Sequence, residues 1–284
     1  LTGTTPNRLY FWSGTIREDA NAKARVWNGD TDYDSNAGWT TYPERLEQNG
    51  VSWRVYQNEL SVGAGLSSEE DAWLANFTDN PLEWMEQYHV KLSPTYIAWL
   101  QKAPKVISNE IAKLESELQN ANGKNADALK KQIARRKQYL ERIIAEQKIY
   151  TREKYDSLPA FEKNLHDKAF TTNLNDPDYH KLTSFSYKNG ETERELAIPK
   201  GDILQQFRKD VEEEKLPTVS WLVAPEKFSD HPSAPWFGAW YVSEVLDILT
   251  KNPEVWKKTI FVLTYDENDG YFDHVPPFIP PYKE

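Results

Sequence analysis

The chain has 284 residues and a formal net charge of −10, from 34 Lys plus Arg against 44 Asp plus Glu. This length suits one large α/β domain or two smaller ones, and the acidic balance without a basic stripe argues against nucleic acid and anionic lipid as electrostatic partners. The absence of Cys excludes disulfides and thiolate metal sites. No apolar run reaches about 18 residues, so no transmembrane segment is expected.

The opening residues 1–8 read LTGTTPNR, which combines turn chemistry with the start of a helix. Pro6 suits the first helical turn, Thr4 or Thr5 suits the cap, and Gly14 is expected to end or bend the helix. Because the chain opens without Met and without a leader, we expect it to be a piece of a larger protein.

A Thr hydroxyl at this helix start admits two interpretations. It can be a plain N-cap, or it can be a nucleophile beside free N–H groups and the positive end of the helix dipole. In the second case Thr4 would attack phosphorus while Asn7 and Arg8 hold the phosphoryl oxygens.

The middle of the chain divides into a mixed part and a helical part. Residues 51–56 alternate like a strand, and residues 68–88 suit one or two helices interrupted by Pro81. Between 105 and 150 the composition shifts to Lys, Glu, Gln, Ala and Leu, with apolar residues at helical spacing on both sides of a break at 120–125. The pattern predicts an antiparallel helical hairpin whose charges form a solvated face.

The last part of the chain has the order strand, helix, strand. Residues 218–224 predict a strand, residues 235–249 a helix, and residues 259–263 a short, buried strand. A crossover of this kind places its two strands in parallel and next to each other. The helix carries Trp236 and Trp240 one turn apart, a spacing that favours packing in the core.

Polar residues follow each strand of this crossover. His231 lies in the loop after the first strand, and Asp266 and Glu267 follow the second. Because the carboxyl ends of parallel strands share one edge of a sheet, His231 can face the two carboxylates. That arrangement suits a metal site, a general acid or a contact to a phosphoryl oxygen, although a structural His and a solvated acidic turn remain alternatives.

Three segments carry a family resemblance when taken together. They are Thr4–Arg8 with the following Trp-Ser-Gly-Thr, Glu226–Trp236 and Thr264–Pro277. In this order they resemble the motifs of the bacterial phospholipase C and acid phosphatase phosphoesterase family. The second segment is most similar to the non-haemolytic, phosphocholine-type phospholipase C branch.

The resemblance implies an α/β fold of the alkaline-phosphatase-like type, with three αβα layers and a mostly parallel central sheet. Residues 1–284 would be a fragment of its catalytic domain, with the 105–150 hairpin inserted. The implied activity is that of a phosphoric ester hydrolase: a secreted or periplasmic phospholipase C-type phosphodiesterase that converts phospholipids to diacylglycerol and a phosphorylated headgroup.

By the motif match, the resemblance implies Thr4 as the nucleophile and His231 as a contact to the bound phosphate. It implies Asp266 and Glu267 as ligands of one divalent metal ion. The oxygen donors favour a hard ion such as Ca or Mg, with Zn and Mn left open.

Three further residues fall within matched motifs as candidates for substrate binding: Asn7, Arg8 and His274. His274 can equally serve packing or a supporting hydrogen bond. The family's N-terminal Glu-Asn-Arg-Ser-Phe-Asp segment, whose Glu and Asn complete the metal site, has no match in this sequence. We therefore expect a partial metal site and little activity from this stretch alone.

Two other functions remain open. One is an acid phosphatase acting on phosphomonoesters, which would share the nucleophile and the metal chemistry. The other is an inactive headgroup-binding module, in which Trp236 and Trp240 would form an aromatic cage for a quaternary ammonium. Peripheral contact with a membrane is compatible with the phospholipase hypothesis.

Overall fold

The computed structural model describes residues 3–31, 33, 36–231, 234–268 and 275, which form a mixed α/β structure. The α-helices are α1 (Thr4–Ser13), α2 (Tyr42–Gln48), α3 (Ser68–Leu74), α4 (Pro94–Gln119), α5 (Gly123–Glu146), α6 (Arg152–Asp156), α7 (Ala160–Ala169), α8 (Gln205–Glu212), α9 (Pro235–Thr250) and α10 (Pro253–Trp256). The strands are β1 (Trp53–Tyr56), β2 (Leu182–Asn189), β3 (Thr192–Pro199) and β4 (Val219–Leu222). Within the described residues, no helix is both long and apolar enough to cross a membrane.

The N-cap of helix α1 lies one residue before Thr4, the first of the two predicted cap positions. Gly3 is the N-cap, so Thr4 is the first helical residue rather than the cap. Leu9 and Trp12 are buried on one side. Gly14 ends the helix with φ 73°, a left-handed conformation that Gly adopts without steric cost, and its N–H bonds the Tyr10 carbonyl at 2.7 Å.

A parallel pair of strands supports this helix. β1 pairs with β4 in the register Trp53 to Val219 through Tyr56 to Leu222. The Trp12 ring of α1 stacks on Trp221 of β4, with ring centroids 4.8 Å apart. This aromatic contact fixes α1 against the strand, and therefore fixes the position of Thr4 at the helix start.

The main hydrophobic core lies where α3, α8 and α9 meet the strand pair. Its fully buried members include Trp73 and Leu74 of α3, Phe207 of α8 and Val245 of α9. Separately, β2 and β3 form an antiparallel pair, from Leu182 opposite Pro199 to Asn189 opposite Thr192.

The chain divides into two compact units, and residues 62–65 and 91–163 form the second. Helices α4 and α5 lie antiparallel within it, buried along Ile107 and Ile143. Arg136 pairs with Glu110 across the two helices at 3.3 Å. Helix α4 begins at Pro94 rather than near residue 105, because Ser93 caps it by accepting the Tyr96 N–H at 3.4 Å.

The predicted strand at 259–263 is absent, which corrects the sequence interpretation. These residues form no strand with a described neighbour, and the side chains of Ile260 and Val262 are 90% and 72% exposed. The parallel neighbour of β4 is β1, which comes earlier in the chain. Since the described residues contain one two-stranded parallel sheet and one antiparallel pair, they do not form a full three-layer sheet.

Neither Trp residue of α9 lies in the core, although core packing was predicted for both. Trp236 is 85% exposed, so it does not lie in the core. Trp240 is half exposed and tilts against Phe228, with ring centroids 5.5 Å apart. The two rings therefore have different environments.

Candidate active site

The first turn of α1 meets the 266–267 segment from the other end of the sequence. The Thr4 hydroxyl donates a hydrogen bond to the Glu267 carboxylate, with Oγ1 and Oε1 2.6 Å apart. Both residues are partly buried. A hydroxyl at a helix start that is hydrogen-bonded to a carboxylate has the geometry that a nucleophile and its base require.

The next two polar residues of α1 hold the neighbouring acid. Asn7 donates from Nδ2 to the Asp266 carbonyl at 2.8 Å, and Arg8 Nε lies 2.8 Å from Asp266 Oδ2. The other carboxylate oxygen of Asp266 accepts the Glu267 N–H at 3.1 Å. Asn7 and Arg8 thus hold Asp266 in place, and their predicted contacts to phosphoryl oxygens stay a prediction.

Arg8 also joins a third segment to the site. Its Nη1 donates to the Asp79 carbonyl at 2.8 Å, and its Nη2 pairs with Asp79 Oδ2 at 3.2 Å. The Asp79 side chain is only 4% exposed, so the guanidinium is the compensating charge for a buried carboxylate. One arginine therefore bridges two acids that are far apart in the sequence.

A cavity of about 350 Å³ opens beside Thr4. Its walls include Asn28, Tyr33, Phe77 and Trp84. Burial and the Glu83 carboxylate, which accepts the Tyr33 hydroxyl at 2.6 Å, raise the pKa of Tyr33 well above its usual value. The phenol therefore stays neutral, and the cavity has aromatic walls beside Thr4.

His231 approaches this cavity through an aromatic neighbour. Its ring meets Phe77 edge to face, with centroids 5.3 Å apart. No hydrogen bond or ion pair between described residues joins His231 to Asp266 or Glu267, and the expected approach of the imidazole to the acids stays a prediction. The two loops are nevertheless near each other, since burial, followed by the Asp230 charge, raises the pKa of the Tyr265 phenol.

The side chains around Thr4 include some of the oxygen ligands that a metal ion requires. Among the described residues there is no group of three or more His, Asp or Glu that could hold an ion. Thr4, Asp266 and Glu267 nevertheless bring together oxygen donors only, which fits a hard divalent cation. The Arg8 guanidinium supplies a positive charge beside Asp266, at 2.8 Å from its carboxylate. His274 lies outside the described residues.

Sequence reasoning missed the segment that carries Phe77 and Asp79. Nothing local in the sequence indicates that Phe77 lines a cavity or that Asp79 pairs with Arg8. The compact polar run Asp79-Asn80 before Pro81 was the available signal, since such a run before Pro is a turn that can present side chains.

These contacts define a class of site: a helix-borne hydroxyl with a carboxylate partner, next to a cavity. Comparison with known proteins gives the family. Residues 1–137 and 148–284 match the Phosphoesterase family, and the chain belongs to it.

Several relatives are phospholipases by name. The "Non-hemolytic phospholipase C" of Burkholderia pseudomallei is 32% identical over 292 residues, which cover 100% of this chain and 28% of the relative. The "Hemolytic phospholipase C" of Pseudomonas aeruginosa is 29% identical over 287 residues, 99% of this chain and 27% of the relative. "Phospholipase C A" of Mycobacterium tuberculosis is 49% identical over 77 residues, 26% of this chain and 15% of the relative. The chain thus spans less than a third of the length of each.

Proposed function

We propose that this chain contributes to a phospholipase C-type phosphodiesterase, which hydrolyses phospholipids to diacylglycerol and a phosphorylated headgroup. The observation that carries the proposal is the 2.6 Å hydrogen bond between Thr4 Oγ1 and Glu267 Oε1. Membership of the Phosphoesterase family supports the ester chemistry, and the names of the relatives support the phospholipid substrate.

The proposal extends to architecture and location. The full protein would have the three-layer alkaline-phosphatase-like sheet, and the 105–150 hairpin would be an insertion in its catalytic domain. The protein would act outside the cytoplasm, in contact with phospholipid as its substrate.

The reaction proceeds in two steps. Glu267 accepts the Thr4 proton as Oγ1 attacks phosphorus, so an O–P bond to Thr4 forms and the bond to the leaving alkoxide breaks. His231 gives a proton to that alkoxide or steadies the phosphoryl oxygens. Water then cleaves the phosphoryl-Thr bond, releasing the phosphorylated headgroup and restoring the Thr4 hydroxyl.

The position of Thr4 on α1 favours this chemistry electrostatically. The start of a helix carries partial positive charge, which stabilises an ionising hydroxyl and a phosphoryl oxygen alike. Asn7 and Arg8 hold the segment that carries the base in register with the nucleophile, through their bonds to Asp266. Pre-formed geometry of this kind lowers the barrier because no reorganisation is needed during the reaction.

One divalent metal ion, Ca, Mg, Zn or Mn, would be held by Asp266 and Glu267 beside Thr4. When bound, it supplies positive charge that lowers the pKa of a hydroxyl and stabilises phosphoryl oxygens. Arg8 then acts as the fixed cation that keeps the Asp266 carboxylate oriented.

Hydrolysis assays on the full-length protein test the proposal. Phosphatidylcholine and a simple phosphomonoester are offered in parallel, each across a panel of divalent metals. A higher kcat/KM on the diester is the expected result. A higher value on the monoester would assign the acid phosphatase reaction instead, and hydrolysis of neither would refute the proposal.

A further inference from the structure

Backbone strain is concentrated around the cavity. Five described residues other than Gly have positive φ. Phe77 at 56° and Thr78 at 63° line the cavity, and Asp230 at 64° precedes His231, whose ring contacts Phe77. A left-handed β-branched residue such as Thr78 is a genuine outlier. Such conformations persist only where the surroundings enforce them, and they cluster at functional sites.

A buried amide network enforces the Phe77–Thr78 conformation. Asn76, 1% exposed, accepts the Thr78 N–H at 3.1 Å and also accepts the Ser61 hydroxyl. Its Nδ2 donates to Gln57 Oε1 at 2.7 Å and to Glu83 Oε1 at 2.6 Å. The side-chain amide of Asn76 is thus satisfied on both sides, and it holds the turn in a fixed shape.

The segment that carries His231 is held in a similar way. Asp230 lies so close to α9 that a Cβ on Gly238 would meet its Cα at 2.7 Å. His231 therefore follows a residue whose strained backbone is packed closely against α9.

The two strained segments meet through one pair of rings. Phe77 is 39% exposed, lines the Thr4 cavity and contacts the His231 ring edge to face at 5.3 Å. Within the described part of the chain, the buried Nδ1 of His231 has no hydrogen-bond partner. The ring is consequently placed by packing against Phe77 rather than by a hydrogen bond to another described residue.

We propose that Phe77 is a positioning residue, which holds the His231 imidazole towards the Thr4 cavity. The strained turn aims the Phe77 ring, and the ring sets the orientation of the imidazole. This inference rests on the proposed function and adds to it a residue that acts through His231 without touching the reacting atoms. An imidazole misplaced by about 1 Å would lose much of its effect on the reaction.

A double-mutant cycle in the full-length protein tests this role, with kcat/KM on phosphatidylcholine as the readout. We expect Phe77→Ala to lower kcat/KM roughly 10- to 100-fold. Phe77→Tyr, which keeps the ring edge, should stay within about threefold of wild type, and Phe77→Leu should not. In the His231→Ala background, Phe77→Ala should cost less than about twofold more, because its effect passes through the imidazole.

Phe161 provides a matched control, since it is also 39% exposed. Phe161→Ala should leave kcat/KM unchanged, and thermal unfolding checks that each variant folds. If Phe77→Ala fails to fold, the Tyr and Leu variants in both His231 backgrounds give the same comparison.

Multiplicative losses at Phe77 and His231, or a Leu variant as active as the Tyr variant, would overturn the inference while the wild type remains an active hydrolase. An inactive wild type would instead refute the proposed function, and this inference with it.

Discussion

The site at Thr4 and the helical hairpin of α4 and α5 are built from opposite kinds of contact. Thr4 and Glu267 are 263 residues apart, and Arg8 and Asp266 are 258 apart. The hairpin pairs residues of two consecutive helices joined by one short loop, as Glu115 of α4 does with Lys137 of α5 at 2.7 Å. Contacts between segments far apart in the sequence form only when the whole unit folds. Contacts within a helical hairpin join residues close in sequence, so they depend less on the rest of the chain.

The largest expected effect is on catalysis. Thr4→Ala removes the attacking oxygen and should lower kcat/KM at least about 10³-fold, whereas Thr4→Ser retains an attacking hydroxyl and measurable turnover. Steady-state kinetics on phosphatidylcholine measure both variants. An Ala variant as active as the wild type would remove Thr4 from the mechanism.

A large effect on stability is expected at Arg8. Arg8→Met removes a cation that pairs with both Asp79 and Asp266, and should lower the free energy of unfolding by about 2–3 kcal/mol. Arg8→Lys keeps the charge but not the fork that reaches both acids, so its loss should be intermediate. Urea unfolding measures the series, and equal stability of all three proteins would contradict the bridging role.

A smaller, pH-dependent effect is expected at His166, whose Nδ1 lies 2.9 Å from the Tyr88 carbonyl. Burial lowers the pKa of His166 below its usual 6.5. The unfolded chain therefore binds the proton more readily, so stability from this residue is complete above pH 6.5 and declines as the pH falls below it. Urea unfolding should show a loss of up to about 1 kcal/mol between about pH 7 and pH 5.5. His166→Gln should flatten that part of the curve, and an unchanged slope would exclude the residue as its source.

The smallest effect is expected in the hairpin. Lys137→Ala breaks the ion pair with Glu115, but the two side chains are 55% and 48% exposed. Solvent already screens such a pair, so the free energy of unfolding should fall by no more than about 0.5 kcal/mol. A loss comparable to that of Arg8→Met would erase the contrast between the two regions.

Local patterns predicted much of the secondary structure. Residues 51–56 and 218–224 contain β1 and β4, and 235–249 corresponds to α9, because alternation, helical spacing and Pro at the helix start are local signals. The 259–263 segment has the same strand-like composition, yet it remains unpaired. Composition indicates that a segment can form a strand, but only a hydrogen-bonding neighbour makes it one.

The residues of the site could be predicted only in part. The family resemblance led to Thr4 and Glu267, which the structure brings within a hydrogen bond. It led also to His231, whose described neighbour is Phe77 rather than an acid. Asp79 could not have been found in this way, because pairing between an arginine and an acid 71 residues later has no periodicity for a sequence to display.

Trapping the phosphorylated enzyme tests the central claim most directly. Full-length protein mixed with a slowly hydrolysed phosphodiester is quenched with acid in the first turnover, digested and mapped by mass spectrometry. The account predicts one phosphoryl-headgroup adduct on the peptide that contains Thr4, bonded through phosphorus to the Thr4 oxygen, and none in the Thr4→Ala variant. A phosphoryl group on another residue, or complete turnover with none on any peptide, would contradict it.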